Sequence, residues 1–261
     1  MAYKDVGVTI TNFLLTFWEW AVGFLSPDFM TAAIGSAFGA FGGAYCVWFL
    51  NKSKEREKSL SQINQVLAML IANLNALLNV KKNYALPAYQ ELSSIMDAID
   101  SNQQYSSLIQ KIFNQFLEVH YDTTAITENL SLYAYLDSKT LVTAVKVKDA
   151  LRNVEEITKL RNLLIQDIRS DPASEDDKVH FYLGYTNRNG KTDSRLQSAT
   201  EGFLLNIDIA IHFIDLLIPQ VQALGKSALP KSYAKKIIKH TIEDDFKELV
   251  PPKDFLDTLS V

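Results

Sequence analysis

A long stretch without a charged residue near the N-terminus constrains this chain more than any other feature. No Asp, Glu, Lys or Arg occurs between Phe29 and Leu50. A helix rises about 1.5 Å per residue, so about twenty residues cross a hydrocarbon core of about 30 Å. Inside lipid the backbone must satisfy its own hydrogen bonds, so the stretch should be helical despite its glycines. The sequence therefore predicts a transmembrane helix over residues 28–50.

A signal peptide and a buried core helix are the alternatives to this span. A signal peptide fits poorly, because no basic region precedes the apolar run and no small-residue cleavage site follows it. A core helix would be unusually long and would run directly into a charged stretch. Basic residues gather on the C-terminal side only: Lys52, Lys54, Arg56 and Lys58. By the positive-inside rule, the part of the chain after them should be cytoplasmic.

Three glycines inside the predicted span repeat every four residues. Gly35, Gly39 and Gly43 therefore share one helix face, and such a ridge of small residues lets a second helix approach closely in lipid. The ridge favours self-association or packing on a neighbouring helix. The simpler interpretation is that glycine is common in membrane helices. The single cysteine, Cys46, excludes an internal disulfide, so the chain needs no oxidising compartment.

The first apolar segment, Val6–Leu25, has two possible structures. It is long enough to span, yet it contains Glu19 between Trp18 and Trp20, and tryptophan prefers the headgroup region. It is either an interfacial helix or a first span that turns near Pro27. Two spans would place both termini in the cytoplasm, whereas one span would leave the N-terminus outside. The sequence leaves both structures open.

An apolar seam follows the charged stretch. Its members are separated alternately by three and four residues: Leu60, Ile63, Leu67, Leu70, Leu74 and Leu77. No glycine or proline interrupts the chain from Asn51 to Leu86, so one helix is predicted from Phe29 to about Asn83. Further apolar residues widen the stripe, which favours packing inside a helical bundle over a bare two-stranded coiled coil.

Apolar periodicity in the remaining chain predicts an all-α fold, with one short strand. The predicted helices are Ala88–Ile99, Tyr105–His120, Thr124–Leu136, Ser138–Arg169, Asp193–Leu224 and Lys231–Leu249, and the strand is Val179–Tyr185. Four regions result: 1–27, an interfacial helix or first span; 28–50, the transmembrane helix; 51–87, a juxtamembrane heptad helix; and 88–261, a cytoplasmic helical domain.

Three polar features are candidates for a functional site. The loop Gly184–Thr192 has the composition of a phosphate-binding loop, but five residues separate its glycines where that motif has four, so a polar turn is favoured. Asp208, His212 and Asp215 lie on one helix face and could bind a metal, although the wet side of an apolar helix explains them better. A basic stripe is interpreted as a solvated face rather than a lipid-headgroup site: Lys231, Lys235, Lys236 and Lys239.

None of these features forms a set of residues that would catalyse a reaction or bind a cofactor or a metal. We therefore expect a protein that is not an enzyme and needs no cofactor. The formal net charge of −4 argues against direct nucleic-acid binding. The lipid bilayer and a second copy of the chain are the expected partners.

One part of the chain also resembles known proteins. The run from Ile63 to Leu67, the run from Asn75 to Lys82, and Pro87 resemble bacterial inner-membrane proteins with a short anchor and a charged juxtamembrane helix. Some two-span proteins of this appearance accompany reverse transcriptases in retron antiviral systems. The resemblance covers roughly the first ninety residues. It implies a toxic effector in the bacterial inner membrane, with a cytosolic protein or ribonucleoprotein as partner, and it implies no catalytic residue.

Overall fold

The computed structural model describes residues 27–109, 112–129, 138–186 and 190–258, and in these ranges the secondary structure is helical, without a β-strand. The helices are α1 Pro27–Val80, α2 Leu86–Asp100, α3 Thr124–Glu128, α4 Ser138–Ser170, α5 Glu175–Tyr182, α6 Arg195–Ala228, α7 Lys231–Ala234, α8 Asp244–Lys247 and α9 Phe255–Thr258. The predicted all-α fold is confirmed. The first apolar segment, Val6–Leu25, lies outside the described residues.

The long helix continues past the point where proline was expected to end it. A π-helical turn, Lys81–Ala85, joins α1 to α2, and the N–H of Leu86 donates to the carbonyl of Lys81. A proline ring clashes with the carbonyl four residues earlier in a regular helix and removes one hydrogen bond. The wider π turn relieves this conflict. Pro87 therefore lies within the first turn of α2, and helical structure continues to Asp100.

The chain divides into two units, Met1–Glu57 and Lys58–Val261, and α1 contributes to both. The second unit is a helical bundle in which α4 and α6 pack along each other. Its main core joins α1, α4 and α6 through residues that include Leu67, Leu70, Leu74, Val147, Leu151, Phe203, Ile207 and Ile214. A smaller core joins α2, α4, α5 and the start of α6 through residues that include Leu92, Ile95, Ile165, Val179 and Leu196.

Two predicted elements are wrong because side-chain hydrogen bonds to the backbone override the apolar pattern. The predicted helix Tyr105–His120 contains only a 3₁₀ turn, Ser106–Leu108, among the residues described there. Side chains of neighbouring helices bind its backbone instead. The predicted strand Val179–Tyr185 lies largely in α5. The side chain of Ser174 accepts the N–H of Asp177, which caps this helix at its N-terminus.

The C-terminal prediction of one helix over Lys231–Leu249 is also wrong. Two short helices, α7 and α8, lie there within a strap formed by residues 229–258. The amide of Asn64 in α1 fixes this strap, because it donates to the carbonyl of Lys236 and accepts the N–H of Ile238. Tertiary contacts therefore take the place of helical hydrogen bonds. The predicted helix Thr124–Leu136 is described only as far as α3, which ends at Glu128.

Candidate functional site

The N-terminal part of α1 presents apolar side chains on every face. Each described side chain from Phe38 to Leu50 is exposed. Phe38 and Phe41 are 75% and 78% exposed, and Tyr45, Trp48 and Phe49 are exposed as well. Soluble proteins rarely leave so large a contiguous apolar surface in water. A helix that is apolar all round belongs in lipid or in the core of an assembly.

The glycine ridge lies within this surface. Gly35, Gly39 and Gly43 are exposed, and a Cβ atom added at any of them would meet nothing within 4 Å. Their backbone is therefore open to close approach by another helix. Cys46 is exposed on the same helix.

Among the residues that the structure describes, two helical stretches are long and apolar enough to cross a membrane, by length and composition alone: Phe38–Asp100 and Arg195–Ala228. The second is α6, and its buried face forms part of the main core of the bundle. It also contains Asp208 and Asp215, which would be costly within a bilayer. The exposed apolar part of α1 is therefore the better membrane segment.

The heptad seam lies inside the bundle. Ile63, Leu67, Leu70, Leu74 and Leu77 are fully buried, and Leu60 packs at the edge of the same core. They share this core with residues of α4 and α6, which include Val147, Leu151, Phe203 and Ile207. The seam is therefore part of the chain's own core.

The polar stripe on α6 is not the wet side of the helix. Lys81 Nζ donates to Asp208 Oδ1 at 2.5 Å and to the carbonyl of Leu249 in the strap at 2.7 Å. His212 is buried, with its ring 6.1 Å from that of Phe255. Burial of the carboxylate raises the pKa of Asp208 above its ordinary 3.8, because desolvation outweighs the stabilisation by Lys81. The Lys81–Asp208 pair therefore joins the π-helical turn after α1 to α6 and the strap.

In the described parts of the chain, no group of three or more His, Cys, Asp or Glu side chains could hold a metal ion.

The loop from Gly184 to Thr192 follows a helix, whereas a phosphate-binding loop follows a strand. Residues 187–189 lie outside the described ranges. The ends of the loop are tied together, because Gly184 N–H donates to the Asp193 carbonyl and Asp193 N–H donates to the Phe181 carbonyl. Gly184 and Gly190 have positive φ values of 87° and 73°, which suits a turn. The four residues of the basic stripe are exposed, but they do not share one helix: Lys231, Lys235, Lys236 and Lys239.

A feature that the sequence did not reveal is a non-helical segment held against the bundle, Ile112–Asp122. Six side chains of α1, α2 and α4 bind its backbone, and we call them the clasp: Asn73, Glu91, Glu155, Arg161, Asn162 and Arg169. Asn162 binds both backbone groups of one residue, because its side-chain amide accepts the Phe116 N–H at 2.8 Å and donates to the Phe116 carbonyl at 2.9 Å. This pairing reproduces the hydrogen bonds between two β-strands.

Arg161 is the most unusual member of the clasp, because it is fully buried at 0% exposure. Its guanidinium donates to the carbonyls of Ile112 and Asn114, both at 2.7 Å, and lies 3.5 Å from the ring centroid of Phe116. A third, longer hydrogen bond reaches Thr200 at 3.4 Å. No carboxylate in the described structure forms an ion pair with it. Burial lowers the pKa of Arg161 to about 9.

A sequence signal for the clasp existed but was ambiguous. Arg161 and Asn162 lie in α4 between Leu160 and Leu164, two of the apolar residues whose spacing predicts this helix. Polar residues at core positions indicate a buried network. The sequence alone could not show that their partner is a non-helical backbone.

Comparison of the chain with protein-family models, curated proteins and solved structures finds no match.

Proposed function

We propose that this chain is a membrane-anchored protein that acts through binding and assembly rather than through catalysis. The observation that carries the proposal is the exposed apolar surface of α1 between Phe38 and Leu50. In lipid this surface is favourable, whereas in water each exposed Å² of it costs about 25 cal/mol. Cell fractionation tests the anchor. The full chain should remain in washed membranes until detergent is added, and recovery in the cytosol without detergent would refute the proposal.

The proposed sidedness places residues 58–258 in the cytoplasm of a bacterial cell, with the anchor in the inner membrane. It rests on the four basic residues that follow the apolar run. A Cys46→Ser background removes the native thiol, and Ser232→Cys then places one thiol on an exposed position of α7. A membrane-impermeant maleimide should label this thiol only after the cells are lysed. Labelling in intact spheroplasts would reverse the topology.

We further propose that the anchor self-associates through the glycine ridge. Gly39→Ile places a branched side chain on the ridge and should weaken cross-linking between copies in membranes. Ala44→Ile adds a side chain of the same size on the opposite side of the helix, and it should leave cross-linking unchanged. Equal cross-linking in the two variants would show that the anchor does not self-associate through the glycine ridge.

The activity proposed for this assembly is that of an effector in a bacterial antiviral defence system. The assembled anchors perturb the inner membrane after a partner releases the cytoplasmic domain. The open backbone of the ridge supports assembly, while the antiviral role rests on the resemblance of the first ninety or so residues. Induced expression with a potential-sensitive dye tests it. Loss of membrane potential should follow induction and be reduced in Gly39→Ile, whereas unchanged potential and growth, with and without phage, would count against the effector role.

The alternative is a membrane-tethered scaffold or sensor whose helical domain binds a cytosolic protein. A specific observation supports it: side chains of the bundle hold the backbone of a non-helical segment, and the same kind of hydrogen bond can hold a peptide. A scaffold should keep its function in Gly39→Ile. Loss of function in that variant, with the protein still in the membrane, would favour the effector.

A further inference from the structure

The side of α1 opposite the glycine ridge changes from aromatic to basic along its length. Its residues follow one another at spacings of three, four and four, and we call them the aromatic–basic row: Tyr45, Trp48, Lys52 and Arg56. Trp48 follows Gly39 by nine residues, or about two and a half turns, so the two lie on opposite sides of the helix. A second helix bound at the ridge therefore leaves this row facing the lipid.

The two rings of the row are exposed and lie close together. Tyr45 and Trp48 are 65% and 53% exposed, and their ring centroids are 5.8 Å apart. Each combines a large apolar ring with a hydrogen-bond donor, and such side chains concentrate where the hydrocarbon of a bilayer meets the headgroups. Both lie at the end of the uncharged stretch, which closes at Leu50. In the proposed anchor, the row therefore crosses the level at which the headgroups begin.

The charges of the row are not neutralised by the protein. Lys52 Nζ lies 4.7 Å from the centroid of the Trp48 ring, so this side chain extends back towards the apolar part of the helix. Two glutamates are interleaved with the basic residues, but no ion pair in the described structure joins them to Lys52 or Arg56. Both positive charges are therefore available to an anionic partner.

The spacing of these two charges suits a phosphate group. Arg56 lies four residues beyond Lys52 on the same face, which is about 6 Å of helix rise. A guanidinium binds phosphate oxygens through parallel N–H groups, and an ammonium binds them as a compact charge, so one phosphate between the two contacts both. Lys54 and Lys58 each follow by two residues, or just over half a turn, and lie on the other side of the helix.

We propose that the aromatic–basic row binds the headgroup of an anionic phospholipid. Lys52 and Arg56 bind its phosphate, while the Trp48 indole and the Tyr45 hydroxyl lie at the level of its ester groups. An anionic lipid is favoured over a zwitterionic one because the row carries two positive charges and no negative one. This inference rests on the proposed membrane anchor and names the lipid that α1 selects.

The test uses the full-length protein reconstituted into vesicles. Trp18→Phe and Trp20→Phe leave Trp48 as the one tryptophan, and brominated lipid beside it quenches its emission. Brominated phosphatidylglycerol is mixed with phosphatidylcholine, and the bromine is then moved to the other lipid, so that the two quenching curves give the relative affinity. Phosphatidylglycerol should be preferred at least about fivefold at low salt, which is the effect of one basic residue near an anionic surface.

Two matched double variants decide whether the row selects the lipid. Lys52→Gln with Arg56→Gln should reduce the preference to about equal affinity for the two lipids. Lys54→Gln with Lys58→Gln removes the same charge from the other side of the helix and should keep the preference within about twofold of its original value. Equal loss in both double variants would show that charge density alone selects the lipid, and would overturn the proposal.

The same quenching curves separate this inference from the anchor itself. Equal quenching by the two brominated lipids, before any lysine or arginine is changed, would overturn the lipid site and leave the anchor in place. Absence of quenching by either lipid would overturn both.

Discussion

At the scale of single residues, burial of charge distinguishes this bundle. Arg161 and Lys81 are both buried, yet their environments differ: Lys81 binds the carboxylate of Asp208, whereas Arg161 binds carbonyls and an aromatic ring. A planar guanidinium can serve two carbonyls and a ring face at once, which an ammonium cannot. Each of these residues joins elements that are distant in the sequence, and each is worth testing alone.

The first prediction concerns the hydrogen bonds of Arg161. Arg161→Met keeps most of the volume but leaves the carbonyl of Ile112 without its donor. The lost bonds to a charged donor outweigh the relief of desolvation, so the free energy of unfolding should fall by about 1–3 kcal/mol. Arg152→Met removes an exposed arginine from the same helix and should change it by about 0.5 kcal/mol or less. Chemical denaturation followed by circular dichroism measures both values, and equal effects would contradict the prediction.

The second prediction concerns the pH dependence that Asp208 contributes. Its raised pKa means that the folded state binds the proton more tightly than the unfolded state does. Its contribution to stability therefore falls as the pH rises from the ordinary value of 3.8 through the folded pKa. The free energy of unfolding of wild type minus that of Asp208→Asn should decrease as the pH rises above 3.8. A difference that stays constant or increases would show that the contact with Lys81 dominates.

At the scale of elements, three long helices contribute to the main core and irregular segments close it. The non-helical segment Ile112–Asp122 and the C-terminal strap are both bound by side-chain hydrogen bonds to their backbones. The strap also requires close approach to α6. A Cβ atom at Gly225 would lie 2.7 Å from Ile237 Cδ1 and 3.2 Å from two side-chain atoms of Ile63.

The third prediction compares two glycines of α6. Gly225→Ala should lower the free energy of unfolding by about 1–3 kcal/mol, because Ile237 must move to admit the methyl group. Gly202→Ala places its methyl group 3.9 Å from Ile157, an ordinary contact, so helix propensity should raise stability by up to about 1 kcal/mol. Urea titration of both variants checks the order. Stabilisation by Gly225→Ala would show that the strap does not pack closely there.

At the scale of the whole molecule, the two units differ in whether their apolar side chains are buried or exposed. Residues from Ile63 onward bury it inside a bundle, whereas Phe38–Leu50 leave it exposed. The tryptophans follow the same division, since all three lie before residue 58: Trp18, Trp20 and Trp48. Tryptophan emission therefore reports on the first unit alone.

The fourth prediction uses this division. In vesicles, brominated lipids should quench the tryptophan emission of the full chain, and Trp48→Phe should remove part of the quenched signal. Urea should then abolish much of the helical circular dichroism while the quenching persists, because the bundle unfolds and the anchor stays in lipid. The same protein in vesicles without bromine is the control. Emission insensitive to bromine would place the tryptophans in water.

The sequence by itself determined the all-α fold and the long helix whose apolar stretch precedes the charged residues, because these follow from local periodicity and the absence of charge. It also identified the seam from Leu60 to Leu77. Only the tertiary structure decided that the seam faces α4 and α6, that helical structure continues without a break through Pro87, and that residues 115–123 are not helical. The physical reason is that Arg161 and Asn162 bind a backbone more than forty residues away. Such contacts leave no periodic signal along the chain.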